Sequence, residues 1–201
     1  MSSIKIIFLK AQHPEIVRVI TAAFDGYPLM NFFFGDANRR SIEAIGQYIC
    51  DLAMIEDSLL LGALVKEELQ GFIFVTPPET DKDKDENAIS NLEARLARSL
   101  SDEALERIDI YSKLKNANKP AQTHFYINML GVNPRFQKMG IGRKLLEHIH
   151  TLSDEHSSSR GVALDTQTEN NVTYYQKFGY EVSSIENLDL LKNWFMFRAK
   201  A

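Results

Sequence analysis

Apolar and polar positions follow two different periods along the chain, and each change of period marks a predicted element. Segments with an apolar residue at every third or fourth position predict helices, and short apolar runs bounded by Gly, Pro or charged residues predict strands. The predicted strands span residues 4–9, 59–65, 69–75, 124–132, 162–165, 180–182 and 193–197. The predicted helices span residues 14–24, 39–56, 141–152 and 172–178, with two more between about 86 and 116. Strands alternating with helices indicate an α/β (α+β) fold.

Residues 24–34 contain seven large apolar side chains in eleven positions without a helical or strand period. Two interpretations stay open for this segment. It could be a loop between helices that tucks its aromatic side chains into the core. It could also form an apolar wall beside a substrate pocket, because pockets are lined mostly by apolar side chains.

Residues 79–87 carry alternating charges, and two amphipathic segments follow them. The alternating signs lack the spacing of metal ligands, so we predict a solvated connector there. The second amphipathic segment begins at Ser101, an N-cap residue, and Asp102 and Glu103 complement the helix dipole in its first turn. Both helices are too short to hold a core of their own. We therefore predict an insertion within a single domain that spans residues 1–201.

Composition narrows the class of protein. A chain of 201 residues with 44% hydrophobic residues can bury one substantial core. Its net charge of -4 argues against nucleic-acid binding, which needs a basic surface. The one cysteine, Cys50, cannot form an internal disulfide, so we expect a core thiol and a reducing compartment. The apolar run at residues 6–9 is too short for a signal peptide or a membrane span, which favours a soluble cytoplasmic protein.

Residues 137–143, Gln-Lys-Met-Gly-Ile-Gly-Arg, join the predicted strand 124–132 to the helix that begins at Ile141. Gly140 and Gly142 permit turn conformations and a close approach of the backbone to a ligand. Unpaired N–H groups in the first helical turn and the positive end of the helix dipole favour an anion there. Four basic residues and no acidic one lie between residues 133 and 146. The loop is therefore a predicted phosphate site.

Two common phosphate loops do not match this segment. A dinucleotide fingerprint requires a third glycine three residues after Gly142, where Leu145 stands. A P-loop requires four residues between its glycines and then Lys followed by Ser or Thr. The first mismatch also argues against a dinucleotide-dependent oxidoreductase.

The loop instead resembles the Gln/Arg-x-x-Gly-x-Gly/Ala signature of the GNAT N-acetyltransferases. A later segment is similar to the second signature of that family, which is a polar turn containing asparagine and then Tyr-x-Lys-x-Gly-Phe or Tyr. The residues in register with it are Tyr175, Lys177, Gly179 and Tyr180. The two signatures occur in the family order, about thirty residues apart, as a βαβ unit requires. The insertion and the C-terminal strand also resemble the puromycin-acetyltransferase-like branch.

The resemblance implies the GNAT fold, a mixed and mostly antiparallel sheet with splayed central parallel strands and helices on both faces. The insertion at about residues 86–116 would cover the acceptor side. The resemblance also implies an enzyme that transfers an acetyl group from acetyl-CoA to a primary amine of a small molecule or peptide, by direct attack in a ternary complex. The alternative is a non-catalytic acyl-CoA-binding or sensor module of the same fold. The sequence does not identify the acceptor.

The site residues are carried over from the family pattern. Tyr175 would be the general acid that protonates the sulfur of coenzyme A. A backbone N–H near Met129 or Leu130 would stabilise charge on the thioester oxygen, and a bulge at Gly131 would splay the strands. Asn171 would bond the pantetheine arm, although it could equally cap the next helix. The expected coenzyme-binding residues are Leu130, Gly131, Val132, Gln137, Lys138, Met139, Gly140, Ile141, Gly142, Arg143 and Asn171.

Neither a general base nor a metal site emerges from the sequence. His124 heads the central strand and could reach an amine through water, but histidines at strand ends usually lie at the surface. His148, His150 and His156 are expected to face solvent along or after the helix of the phosphate site. No histidine pairs with a carboxylate or cysteine at ligand spacing, so we expect no metal. We also expect no nucleic-acid or membrane partner, and a homodimer is left open.

Overall fold

The computed structural model describes residues 3–9, 15–35, 39–56, 58–78 and 85–200. Its strands are β1 (Ile4–Phe8), β2 (Leu59–Val65), β3 (Glu68–Thr76), β4 (Phe125–Val132), β5 (Gly161–Thr166), β6 (Glu181–Leu188) and β7 (Leu191–Ala199). Its helices are α1 (Ile16–Phe24), α2 (Pro28–Phe34), α3 (Arg39–Ile55), α4 (Glu86–Ala97), α5 (Asp102–Ala117), α6 (Ile141–Glu155) and α7 (Glu169–Gln176). The predicted helix start at Pro14 and most of the charged connector lie outside the described residues.

The seven described strands join one sheet in the order β1-β2-β3-β4-β5-β7-β6. Only the central pair, β4 and β5, is parallel, and each of the other neighbouring pairs is antiparallel. Helix α6 lies in the connection between the two parallel strands, because such a pair cannot be joined by a short hairpin. The predicted mixed, mostly antiparallel sheet is confirmed.

Helices cover both faces of the sheet, and strand residues alternate between two apolar clusters. Phe72 and Phe74 of β3 join the cluster under α1, α2 and α3, which also contains the buried Cys50. Ile73 and Val75 point the other way, into the cluster under α6. The period of two along β3 therefore places its side chains in two separate cores.

Residues 28–34 form helix α2, so the expectation of a loop in this aromatic segment is wrong. Pro28 lies in the first turn, where its fixed φ suits a helix and its missing N–H has no helical partner to lose. Leu29, Met30 and Phe33 are buried on one side. The opposite side is also apolar, with a half-buried Phe32, and this is why no helical period is visible in the sequence.

β6 and β7 form a hairpin that is longer than the two short strands predicted for this region. β6 is the edge strand of the sheet, and most of its side chains are exposed. Its sequence is therefore polar and lacks the apolar pattern from which a strand is predicted.

The predicted insertion consists of α4 and α5, which pack on the same face as α1, α2 and α3. Ser101 caps α5, because its hydroxyl accepts a hydrogen bond from Ala104 N at 3.2 Å. α5 contributes Ile108 and Tyr111 to the first apolar cluster. α4 has no buried residue, and its Arg95 forms an ion pair with an aspartate of α3.

His150 is buried within α6, so the expectation that it faces solvent is wrong. It follows the core residue Leu146 by four positions and therefore lies on the apolar side of the helix. Its side chain is 8% exposed, and its Nε2 lies 3.0 Å from the Tyr180 hydroxyl. Burial, helped by the charge of Arg198, lowers the pKa of His150 to about 4.

Acidification should destabilise the protein through His150. The folded pKa lies below the unfolded one, so the unfolded chain binds the extra proton, and stability is lost as the pH falls from 6.5 towards about 4. Between about pH 7.5 and about pH 4.5, we expect the wild type to lose on the order of 2 kcal/mol more than His150→Gln. Urea unfolding at both pH values measures the loss, and equal losses in the two proteins would contradict the prediction.

Candidate active site

The two parallel strands separate in the middle of the sheet. β4 and β5 pair over three residues of each strand, ending at Ile127 and Leu164; beyond them β4 stays with β3, and β5 stays with β7. The register of β4 against β3 slips at Asn128, which is the bulged residue. Gly131 is paired regularly, so the prediction of a bulge at Gly131 is wrong.

The separation leaves backbone groups of β4 unpaired on the β5 side. Asn133 N donates to Gln70 O at the end of β3, at 2.8 Å. Because backbone groups alternate in direction along a strand, Gly131 also faces β3, whereas Leu130 and Val132 face the gap. The backbone of these two residues is therefore free to pair with an extended ligand.

A cavity of about 190 Å³ lies where the strands separate, and we call it the inner cavity. Helices α1, α2 and α5 close it on one side. Its lining includes Phe24, Tyr27, Met30, Tyr111, Asn128, Gly131 and Asp165. The aromatic segment 24–34 thus forms part of a pocket wall, as the second interpretation of that segment proposed.

A larger groove of about 650 Å³, the outer groove, runs past the start of α6. Its lining includes Lys138, Gly140, Ile141, Gly142, Arg143 and Tyr174. Five residues line both the groove and the inner cavity, namely Leu130, Val132, Gln137, Asn171 and Tyr175. The two spaces are therefore neighbours, and almost every predicted site residue lies along them. Met139 is the exception, because its side chain is 51% exposed and lines neither space.

The two glycines of the loop have different roles. Gly140 is the N-cap of α6 and has a φ of 86°, which glycine adopts without strain. Gly142 lies inside the helix, and a Cβ there would be 3.1 Å from the Tyr174 hydroxyl. The first backbone bond of α6 runs from Lys144 N to Gly140 O, so the preceding amides point towards the groove without helical partners.

The charges at this end of α6 are mostly positive. Lys138 and Arg143 line the outer groove, and no acidic residue does so among the described residues. Arg143 Nε forms an exposed ion pair with Glu147 at 2.7 Å, which is weak enough to exchange for another anion. The loop amides, the helix dipole and the two side chains together favour a phosphate group.

Tyr175 lies at the junction of the two spaces and is buried in α7. Burial raises its pKa well above the ordinary 10, and Tyr27 adds to the effect. The phenol therefore stays protonated at neutral pH and can donate a hydrogen bond or a proton.

Asn171 faces the site instead of capping α7. Thr168 is the N-cap, because it is extended and its hydroxyl accepts from Asn171 N at 3.3 Å. The Asn171 side chain donates to Thr166 Oγ1 at 3.0 Å and lines both spaces.

Asp165 is the site residue that sequence reasoning missed. Val162 and Leu164 pack under α6, so the alternation of β5 turns Asp165 to the opposite face, beneath α5. Oδ2 accepts from Tyr111 at 2.5 Å and from Gln167 at 2.8 Å, and Oδ1 accepts from Tyr126 at 2.6 Å. The sequence feature that could have identified Asp165 is its position as an acidic residue at the end of a buried apolar run.

Lys115 of α5 lies next to this carboxylate network. Its Nζ donates to Asn128 Oδ1 at 2.7 Å and lies 4.4 Å from the centre of the Tyr126 ring. Asn128 in turn donates to Thr76 Oγ1 at 2.8 Å. Burial lowers the pKa of Lys115 to about 8, against the opposing effect of Asp165.

The candidate general base lies away from both spaces. His124 lines neither of them, and its Nδ1 is 2.5 Å from Gln122 O. In the described part of the chain, no group of three or more His, Cys, Asp or Glu side chains is arranged to hold a metal ion.

The comparisons with known proteins point to one family. The family model of the acetyltransferase (GNAT) domain matches residues 107–182, which include the loop, Asp165 and Tyr175. The part of the chain that contains both sequence signatures is thus similar to the GNAT acetyltransferase domain. The chain is 32% identical over 63 residues to N-alpha-acetyltransferase 50 of Danio rerio, and the matched region is 30% of this chain and 38% of that relative. The narrower placement in the puromycin-acetyltransferase-like branch stays a prediction.

Solved structures show the same fold over the whole chain. A histone acetyltransferase HPA2 and related acetyltransferase from Corynebacterium glutamicum has a TM-score of 0.71 at 15% identity, covering 100% of this chain and 98% of its own. A GNAT family acetyltransferase from Brucella melitensis in complex with acetyl-CoA has a TM-score of 0.54 at 18% identity, covering 100% of this chain and 90% of its own. Separately, none of the described helices is both long and apolar enough to span a membrane.

Gly131 forms the wall between the inner cavity and the core, and a side chain there should destabilise the protein. A Cβ would lie 2.4 Å from Cε1 of Phe72 and 2.9 Å from Cβ of Ala23. We expect Gly131→Ala to lower the free energy of unfolding by ~1–3 kcal/mol through overpacking. Gly46→Ala is the control, because its closest contact would be a looser 3.3 Å to Ile20 and alanine favours the helix. Urea unfolding of both variants tests the difference, and equal effects would contradict it.

Proposed function

We propose that the chain is an acetyl-CoA-dependent N-acetyltransferase that acts on a primary amine of a small molecule or peptide by direct attack in a ternary complex. One observation carries the proposal: Tyr175, which stays protonated, lies where the outer groove, with its predicted phosphate site, meets the inner cavity. One space can hold the coenzyme and the other the acceptor, with the acid between them.

The outer groove suits coenzyme A. The loop at residues 137–143 offers helical amides, Lys138 and Arg143 to a diphosphate, with no opposing acid among the described lining residues. Leu130 and Val132 can pair with the pantetheine arm as a strand pairs with a sheet edge. Asn171 can donate to the same arm. The acetyl-CoA complex of the Brucella melitensis relative supports this choice of coenzyme.

Each catalytic role has a residue at the separation of β4 and β5. When bound, acetyl-CoA supplies a thioester carbonyl that an amine can attack. The N–H of Leu130 faces the gap and can donate to the carbonyl oxygen as negative charge develops on it. Tyr175 gives its proton to the departing sulfur and regains one that the attacking nitrogen loses. A new C–N bond thus replaces the C–S bond without net loss of a proton from the enzyme.

The relatives support the amine as acceptor. The chain is 32% identical over 63 residues to the N-alpha-acetyltransferase 50 of Danio rerio, whose name describes acetylation of an alpha nitrogen. The chain spans only 38% of that relative's length, so a peptide amine is one candidate acceptor, and a small amine is the other.

Removal of the Tyr175 hydroxyl should slow turnover without weakening coenzyme binding. We expect Tyr175→Phe to lower kcat by roughly tenfold or more, which is about 1.4 kcal/mol of barrier. Release of thiol from acetyl-CoA with an amine panel measures turnover, and calorimetry measures acetyl-CoA binding. Tyr48→Phe is the control, because this half-buried tyrosine lies on α3, away from both spaces. Unchanged turnover in Tyr175→Phe would show that Tyr175 is not the general acid. If the wild type binds the coenzyme but releases no thiol, the alternative of an acyl-CoA sensor is favoured.

A β-branched residue at Gly140 should disturb the loop amides and weaken acetyl-CoA binding. Valine is strained at this positive φ, so the turn must shift. We expect Gly140→Val to raise the Kd of acetyl-CoA by roughly tenfold, at a stability cost of ~1–2 kcal/mol. Gly35→Val is a control for strain at a glycine of positive φ, because Gly35 has a φ of 72° and open surroundings but ends α2. If both variants bind acetyl-CoA equally, the loop does not hold the diphosphate.

A further inference from the structure

We propose that Asp165 and the insertion helix α5 form the acceptor subsite, and that this subsite recognises a small primary amine in its ammonium form. The inference rests on the proposed function and adds to it the class of acceptor and the residues that select it. It concerns recognition of the amine before the transfer step: the bound ammonium group then releases one proton to water, and the neutral amine attacks the thioester.

The first argument is the hydrogen-bonding capacity of Asp165. A carboxylate offers about four acceptor positions. Tyr111, Tyr126 and Gln167 occupy three of them, while the side chain still lines the inner cavity. One acceptor position therefore remains for a donor that enters the cavity.

The second argument is the charge of the cavity. Apart from tyrosines, Asp165 is the only titratable residue among the described residues that line the inner cavity. A carboxylate removed from bulk water is stabilised by a cation close to it. The aromatic rings of Phe24 and Tyr27 line the same space, and their faces also attract a cation. An ammonium group fits these surroundings better than a neutral or anionic acceptor.

Lys115 does not replace this ligand cation. Its Nζ is engaged by Asn128 and by the Tyr126 ring, and it is absent from the cavity lining. Its positive charge lies outside the cavity lining and partly offsets the negative charge of Asp165. The carboxylate is therefore stabilised even when no acceptor is bound. The cavity-facing acceptor position of Asp165 stays open.

The third argument is size. The inner cavity holds about 190 Å³, below the ~300–1,000 Å³ of pockets for drug-sized ligands, and the acetyl group must share it. Tyr111 closes the acceptor side through its bond to Asp165 and its edge-on contact with the Phe33 ring, whose centre lies 5.4 Å away. The insertion thus leaves room for a small amine and obstructs an extended peptide.

The test uses the purified full chain with acetyl-CoA and four probe acceptors: n-butylamine, benzylamine, 2-phenylethylamine and the peptide Ala-Gly-Gly-Ala. Asp165→Asn keeps the shape of the side chain and removes its charge. We expect it to raise the KM of the small amines at least about tenfold, as loss of a charge-assisted bond predicts. Asp109→Asn is the control, because it removes an exposed acid of α5 that does not line the inner cavity. It should leave KM within about twofold, and both variants should bind acetyl-CoA as the wild type does.

Tyr111→Phe tests the contribution of α5 separately. It also keeps the inference testable if Asp165→Asn does not fold. We expect an intermediate rise in amine KM, about threefold to tenfold, with kcat and the Kd of acetyl-CoA little changed. A purely structural role would instead lower coenzyme binding and kcat together. Ala-Gly-Gly-Ala should have a kcat/KM at least about tenfold below that of benzylamine, and a preference for the peptide would overturn the size argument.

A direct measurement of charge recognition compares two inhibitors of n-butylamine acetylation. N,N-dimethylbenzylamine is cationic and gives no stable amide, whereas benzyl alcohol is neutral. We expect the cation to inhibit the wild type at least about fivefold more strongly, and the two to be equal in Asp165→Asn. Equal inhibition of the wild type, or an unchanged amine KM in Asp165→Asn, would overturn the inference and leave the proposed function standing.

Failure of the proposed function gives a different result. In that case the wild type binds acetyl-CoA but releases no thiol with any of the four acceptors. The subsite is then judged by calorimetric binding of N,N-dimethylbenzylamine to the coenzyme-loaded protein. Tighter binding to the wild type than to Asp165→Asn supports the subsite, and no difference overturns it.

Discussion

The site depends on one constraint, which is that β4 and β5 stay hydrogen-bonded for only three residues each. Beyond Ile127 and Leu164 each strand keeps only its antiparallel neighbour, so the inner backbone edges of both strands lose their partners. Such groups need hydrogen bonds from a ligand or from side chains. The Asn128 bulge and the bonds of Lys115 and Thr76 to its side chain hold the strands apart. The separation is therefore a built feature of the sheet.

The two spaces on either side of this separation have opposite electrostatic character. The outer groove combines helix amides with Lys138 and Arg143 and suits an anion. The inner cavity contains a carboxylate held by tyrosine hydroxyl groups and suits a cation. Burial keeps Tyr175, which lies between them, in its protonated form. An anionic coenzyme and a cationic acceptor can therefore approach from different sides and meet at a neutral acid.

The insertion has a larger role than its weak apolar pattern predicts. α4 buries no residue, and α5 buries only Ala104 completely, so neither helix is held mainly by a core of its own. The polar contacts of Tyr111 and Lys115 with Asp165 and Asn128 attach α5 to the sheet. Such contacts join residues more than ten positions apart in the chain, and in the case of Tyr111 more than fifty. No local pattern could have predicted them.

The sequence by itself determined the elements that form through interactions between residues close together in the chain. The β2–β3 hairpin, α3, the Ser101 cap and the loop before α6 follow from local periodicity and turn chemistry, and the resemblance to the GNAT family placed Tyr175 and the fold. Only the tertiary structure decided where the bulge lies, why Thr168 rather than Asn171 caps α7, and that His150 is buried. It also decided that Asp165 is a site residue, because two of its three hydrogen-bond partners, Tyr111 and Tyr126, come from distant segments. Local rules describe a residue's own conformation, whereas a site is defined by which residues the sheet brings together.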